Sequence, residues 1–141
     1  MTTFSRRQVV GTALTFAAAI AVVPGIARAN EVEDAINTFT GGAEMGSDGI
    51  TLIAPEIAEN GNTVPIDIDA PGAEAIIVFA EGNPNPRVAT FNFGPMSGSS
   101  SASTRIRLAG EQDVIAIARM PDGTYKMARQ NVRVTIGGCG G

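Results

Sequence analysis

The five C-terminal residues carry the only cysteine of this 141-residue chain. Four glycines surround that cysteine, Cys139: Gly137, Gly138, Gly140 and Gly141. Because glycine lacks a Cβ and adopts positive φ readily, the segment 137–141 is predicted to be a thin, flexible arm. Extended, it spans at most about 17 Å, which puts the cysteine sulfur about 10 Å beyond Ile136. Such an arm can carry a thiol into a narrow channel of another protein.

The sequence around Cys139 does not activate its sulfur. The thiolate is the nucleophilic form, and nearby positive charge favours it. No basic residue adjoins Cys139, and the terminal carboxylate two residues on favours the protonated thiol. We therefore interpret Cys139 as an attachment point that other proteins activate, so that the chain is a carrier and not an enzyme. A glycine-rich end that is merely disordered is the alternative.

The remaining composition excludes most catalytic chemistry. The chain has no histidine, which excludes imidazole base catalysis and histidine-ligated metals. Asp67 and Asp69 alternate with apolar residues, which indicates a solvated strand face and not a metal site. The serine-rich stretch 97–103 has no histidine partner and no nucleophile-elbow motif. We predict no catalytic residue, no metal and no cofactor.

Residues 1–29 have the pattern of an export signal. Arg6 and Arg7 precede a weakly apolar run that Pro24 ends, and a small-x-small cleavage pattern follows. The alternative, a membrane anchor, needs about 20 apolar residues, more than this run provides. The paired arginines resemble a twin-arginine signal, which exports folded proteins, so a partner could cross with the chain.

Three segments are therefore predicted: a signal peptide over 1–29, a domain over 30–136 and the arm over 137–141. Removal of residues 1–29 leaves seven Lys and Arg against fourteen Asp and Glu, a net charge of −7. This charge excludes nucleic acid and anionic membranes as partners, since both require an excess of positive charge. The odd cysteine indicates either a free reactive thiol or pairing between two chains through Cys139, and we expect a reducible dimer.

The domain is predicted to begin with a helix and to continue with strands. Residues 30–42 predict a short helix that Asn30 caps and that Gly41 and Gly42 end. Its apolar face comprises Val32, Ile36 and Phe39. Farther along, the apolar period changes to two, and the predicted inward residues are Val64, Ile66 and Ile68, then Phe91 and Phe93, then Ile106 and Leu108, and then Val132, Val134 and Ile136. Pro65 indicates that the first of these strands lies at a sheet edge.

Two strands, 74–80 and 113–120, are apolar on both faces. Either they are central strands covered on both sides, or another protein covers their outer face. Six or seven short strands separated by turn residues predict an all-β fold, an antiparallel β-sandwich.

Taken together, these features resemble the SoxY family, the sulfur-carrying subunit of the SoxYZ complex of bacterial thiosulfate oxidation. The resemblance rests on the terminal Gly-Gly-Cys-Gly-Gly, the twin-arginine leader and the stretches 54–76 and 89–95. It implies an immunoglobulin-like β-sandwich in the periplasm, with Cys139 as the carrier cysteine and the four glycines as its swinging arm.

The resemblance also implies a set of partners. SoxZ would be the constant partner in a heterodimer, exported together with this chain. SoxAX, a c-type cytochrome, would join thiosulfate oxidatively to Cys139, and SoxB would hydrolyse the sulfone to release sulfate. SoxCD would oxidise the sulfane sulfur that remains as a persulfide.

Two rival functions stay open at this point. A ubiquitin-like sulfur carrier would use Gly141 as a thiocarboxylate, although an export signal argues against a reaction that needs cytoplasmic ATP. A non-catalytic binding module of immunoglobulin type would leave Cys139 without a role.

Overall fold

The computed structural model describes residues 24–136, with side chains from residue 30 onward. This part begins with one helix, α1, over Pro24–Thr40. Nine strands follow it: β1 Met45–Gly46, β2 Thr51–Ile53, β3 Ile57–Asn60, β4 Val64–Asp69, β5 Ala75–Ala80, β6 Arg87–Asn92, β7 Ser101–Ile106, β8 Gln112–Arg119 and β9 Tyr125–Ile136. In residues 24–136 no helix is long and apolar enough to cross a membrane.

The strands form two sheets that pack face to face. The larger sheet has the order β1-β9-β8-β5-β6, with β3 pairing to the end of β9, and the smaller has the order β2-β4-β7. Most neighbours are antiparallel, whereas β1 and β3 both run parallel to β9. The predicted all-β sandwich is confirmed, with one sheet mixed in direction.

The core between the sheets consists mainly of isoleucine, valine and alanine. Val64, Ile66 and Ile68 of β4 are buried and alternate with exposed residues, as predicted. The other predicted inward residues also face this core: Ile106, Leu108 and Val132 are buried, and Phe91, Phe93 and Val134 are half-buried. Ile136 is 65% exposed, because β9 extends past the end of the core.

Helix α1 covers the outer face of the larger sheet. Its side chains Val32, Ile36 and Phe39 form a second cluster with residues of the two apolar strands: Ile77, Phe79, Ile115 and Ile117. The ring of Phe39 meets that of Tyr125 edge-on, with 5.7 Å between the centroids. Both apolar strands are therefore central and covered within the chain, and the alternative that a partner covers strands 74–80 and 113–120 is wrong.

Two local predictions also need correction. Helix α1 begins at Pro24, so Asn30 lies inside the helix and does not cap it, although Gly41 and Gly42, at φ of 66° and 77°, end it as predicted. Strand β4 is the middle strand of its sheet, so its assignment to an edge is wrong. Pro65 is tolerated because β2 pairs only with residues 67–69 and leaves the backbone at Pro65 with a neighbour on one side.

Candidate functional site

The predicted carrier segment lies outside the described residues, which applies to Gly137, Gly138, Cys139, Gly140 and Gly141. The structure does describe the point from which this segment continues, Ile136 at the end of β9. Strand β9 has 12 residues, and only those up to Val132 pair with β8. Its last part leaves β8 and pairs with β3. The residues around Ile136 are therefore the described surroundings of the predicted arm.

Backbone hydrogen bonds hold the end of β9 in place. Arg133, Val134 and Ile136 pair in register with Ile57, Ala58 and Asn60 of β3, respectively. The Arg133 N–H donates to the Glu56 carbonyl at 3.0 Å, and the Gly61 N–H donates to the Ile136 carbonyl at 2.7 Å. The last described carbonyl is therefore fixed, and an arm that begins at residue 137 has a defined origin.

Gly61 connects this origin to the smaller sheet. Its carbonyl accepts a hydrogen bond of 2.8 Å from the Leu108 N–H, while its own N–H holds Ile136. The segment after β7, which includes Arg107 and Leu108, therefore lies beside the start of the arm. This end of the sandwich joins residues that lie far apart in the sequence.

A buried asparagine fixes that segment from the inside. Asn83, which is 1% exposed, donates through Nδ2 to the Arg107 carbonyl at 2.7 Å. Its Oδ1 accepts from the Ala109 N–H at 2.9 Å and from Nε2 of Gln112 at 3.0 Å. The sequence from Gly82 to Pro86 is typical of a turn and gives no sign that Asn83 is buried.

Basic side chains fall into two groups within residues 30–136. Three of them contact carboxylates: Arg119 lies 3.7 Å from Glu74, Lys126 lies 3.2 Å from Asp48, and Arg129 reaches both Glu81 and Asp113. The hydrogen bond from Lys126 lowers the pKa of Asp48, an exposed carboxyl. The other four have no carboxylate within 4 Å in this part of the chain: Arg87, Arg105, Arg107 and Arg133.

Arg105 contacts Thr63, which lies two residues after Gly61. Its Nη1 donates to Oγ1 of Thr63 at 3.3 Å, and Thr63 itself donates through its backbone to the Asn60 carbonyl at 3.4 Å. Arg105 and Arg107 are both exposed and lie on the same face of β7 and its extension. The alternation of apolar residues around Ile106 and Leu108 accounts for the exposure of both arginines, but their position near Gly61 depends on how the strands pair.

Exposed apolar side chains also occur near this point. Ile57 is 59% exposed and Ile136 is 65% exposed, and both belong to the β3–β9 pairing. Side chains of this size are commonly buried. Ile136 is the last residue before the predicted arm, whereas Ile57 lies three residues earlier in the pairing, opposite Arg133, so the two do not form one patch.

The described residues also form an open groove of about 1090 Å³ between α1 and the edge of the larger sheet. Val32, Ile36 and Met127 line it, together with the acidic Glu33 and Glu111. In residues 30–136 no group of three or more Cys, His, Asp or Glu side chains could hold a metal ion.

A family model matches most of the chain. The model of sulfur oxidation protein SoxY matches residues 36–139, and so runs from α1 to the lone cysteine. Among curated proteins, none matches the chain by sequence.

Solved structures agree with that match. The sulfur carrier protein SoxY from Chlorobium limicola f thiosulfatophilum is 34% identical, with a TM-score of 0.66, over 77% of this chain and 99% of that one. A superoxide reductase (neelaredoxin) from Ignicoccus hospitalis is 19% identical, with a TM-score of 0.54, over 67% of this chain and 84% of that one. The second likeness shows the fold alone, since its identity is low. The chain belongs to the SoxY family of sulfur oxidation proteins.

Proposed function

We propose that this chain is a carrier that holds intermediates of sulfur oxidation covalently on Cys139 and presents them to partner enzymes. The observation that carries the proposal is the family match, which extends through Cys139 itself. The fixed end of β9 supports it, because an arm that must reach several active sites needs a defined origin. The chemistry then takes place in the partners, and this chain contributes the attachment point.

The proposed cycle conserves the bond between the cargo and Cys139. Oxidative coupling of the Cys139 thiol with thiosulfate gives Cys–S–S–SO₃⁻, with loss of one proton and of two electrons to the cytochrome SoxAX. Hydrolysis by SoxB, Cys–S–S–SO₃⁻ + H₂O → Cys–S–SH + HSO₄⁻, leaves a persulfide, which SoxCD oxidises further. A persulfide is a reactive species, and covalent attachment prevents its loss by diffusion between enzymes.

The proposal includes a location and a constant partner. We propose export by the twin-arginine route to the periplasm and a stable heterodimer with SoxZ, with a disulfide-linked dimer through Cys139 when the thiol is unloaded. Because α1 covers the outer face of strands 74–80 and 113–120, the proposed partner binds to another surface of the chain. A monodisperse monomer after co-expression with a SoxZ homologue would contradict the heterodimer.

The test of the carrier function is the substitution Cys139→Ser in the full chain, assayed with the partner enzymes and thiosulfate. We expect sulfate production to stop and sulfur adducts to disappear from the intact mass, with the midpoint of urea unfolding unchanged. The unchanged midpoint is expected because the substitution lies beyond the last residue of β9. Unaltered sulfate production would favour a binding module, and a thiocarboxylate at Gly141 would favour the ubiquitin-like rival.

A further inference from the structure

We infer that Arg105, together with Arg107, binds the sulfonate end of a cargo on Cys139 and docks the loaded arm against the smaller sheet. The inference rests on the proposed function, because it concerns the cargo that Cys139 would carry. It assigns a binding site for an anionic sulfo group to residues outside the arm itself.

Arg105 and Arg107 lie near the residue from which the arm continues. The Gly61 N–H donates to the Ile136 carbonyl, and the Gly61 carbonyl accepts from the Leu108 N–H. Leu108, the residue after Arg107, is therefore linked to Ile136 through the single residue Gly61. Thr63, which accepts the hydrogen bond from Arg105, is two residues from Gly61, at most about 7 Å along the chain. An extended arm places the sulfur up to about 10 Å beyond Ile136, which is longer than the chain distance between Gly61 and Thr63.

Within residues 30–136, the positive charges of both arginines are not paired with a carboxylate. Arg105 and Arg107 have no carboxylate within 4 Å in the described part of the chain, although the domain carries a net negative charge. Two carboxylates, Asp67 and Asp69, lie on the exposed face of the neighbouring strand β4, and neither pairs with these arginines; Asp67 accepts a hydrogen bond from Ser103. Both guanidinium groups are therefore available to an anion, and Thr63 positions one of them.

A guanidinium group matches a sulfonate in charge and in hydrogen-bonding geometry. A sulfonate keeps its negative charge at any physiological pH and offers three acceptor oxygens, which a guanidinium can bind through two parallel N–H donors. The persulfide that remains after hydrolysis has no sulfonate. The same site therefore holds the arm in its thiosulfonate state and releases it once sulfate has left.

The experiment uses the purified full-length chain, loaded chemically so that no partner enzyme is needed. Tetrathionate converts the thiolate by Cys–S⁻ + S₄O₆²⁻ → Cys–S–S–SO₃⁻ + S₂O₃²⁻, and intact mass confirms loading. A mixed disulfide of Cys139 with 2-mercaptoethanol provides a neutral cargo for comparison. The ¹H–¹⁵N heteronuclear NOE of Gly140 and Gly141 reports order in the arm, and the Nε–H resonances of Arg105 and Arg107 report contact.

We expect the sulfonate cargo to raise the glycine NOE values and to shift both arginine resonances, and the neutral cargo to do neither. In the double variant Arg105→Gln, Arg107→Gln the equilibrium constant for docking should fall at least about tenfold, because both charge-assisted contacts with the sulfonate are lost. Salt at about 0.5 M should reduce docking in the unsubstituted chain, since both groups are exposed.

Arg119→Gln is the control for loss of an exposed arginine charge: it removes one charge, against two in the double variant, from β8 opposite the first residue of β9. Arg119 pairs with Tyr125, roughly 36 Å along the strand from Ile136 and beyond the reach of the arm. Docking that persists in the double variant, that occurs with the neutral cargo, or that Arg119→Gln weakens equally would overturn the inference. Each of these results leaves the carrier function standing, which only the Cys139→Ser assay decides.

Discussion

At the scale of single residues, the positions that organise the arm's origin are small and polar. Gly61 links β9 to the segment after β7 through its two backbone groups, and Asn83 holds the same segment through its side chain. Gln112 completes this network, since its Oε1 accepts from the Gly82 N–H at 2.8 Å. In the described part of the chain no buried side-chain nitrogen or oxygen lacks a hydrogen-bond partner. A satisfied polar cluster of this kind fixes a loop that packing alone would leave free.

Removing Asn83 should therefore be costly. Asn83→Ala leaves the Arg107 carbonyl and the Ala109 N–H without a protein partner, and we expect the free energy of unfolding to fall by about 2–4 kcal/mol. Urea denaturation measures this change. The control is Asn92→Ala at an exposed position of β6, for which a change within about 0.5 kcal/mol is expected. Equal effects of the two substitutions would show that the buried network contributes nothing.

At the scale of elements, α1 gives the larger sheet its second covered face. Among helix residues 30–40, whose side chains the structure describes, the first buried one is Val32, which lies after the predicted cleavage point at residue 29. Cleavage there would shorten the helix that starts at Pro24 and leave Val32, Ile36 and Phe39 on the sheet. The packing of α1 is thus compatible with a mature chain that begins at Asn30.

Undocking α1 should expose the apolar face of the sheet. Val32→Asp places a carboxylate at a site that is 3% exposed, against Ile77, Ile115 and Ile117, so the helix should separate from the sheet. We expect increased binding of the dye ANS, which detects exposed apolar surface, and a lower midpoint of urea unfolding. Asn37→Asp adds the same charge at an exposed position of the same helix and should change neither measurement. Dye binding that stays at the level of the unsubstituted chain would contradict this role of α1.

At the scale of the whole molecule, three layers share two apolar clusters. One cluster lies between the two sheets and the other lies between the larger sheet and α1, and β5 and β8 contribute to both. Alternate residues of these strands point into each cluster, so loss of one layer uncovers residues that the other layers need. The described domain should therefore unfold as one cooperative unit.

Two probes can test this cooperativity. The chain has one tyrosine and no tryptophan, and that tyrosine, Tyr125, contacts Phe39 of α1. Tyrosine fluorescence therefore reports the docking of the helix, while far-UV circular dichroism reports mainly the sheets. We expect both signals to change at the same urea concentration, and to separate in Val32→Asp. A fluorescence transition at lower urea in the unsubstituted chain would show that α1 unfolds independently.

The sequence predicted several parts of this fold correctly, because their signals are local. Alternation at Val64, Ile66 and Ile68 marks a strand with one buried face without any knowledge of its neighbours. The Gly41-Gly42 pair ends the helix because its backbone adopts positive φ. The errors concern neighbours: Pro65 indicated an edge, yet β4 is central, and the apolar strands 74–80 and 113–120 allowed a partner where α1 lies.

The sequence by itself predicts which residue carries the proposed cargo, since Cys139 is the only thiol of the chain. That role, the flexibility of the arm and the signal peptide stay predictions. Only the tertiary structure decided where the arm begins and what lies beside it. Gly61 meets Ile136 across 75 positions, and Arg105 meets Thr63 across 42. Contacts at such separations depend on how the strands pair, and no local pattern of residue types encodes that pairing.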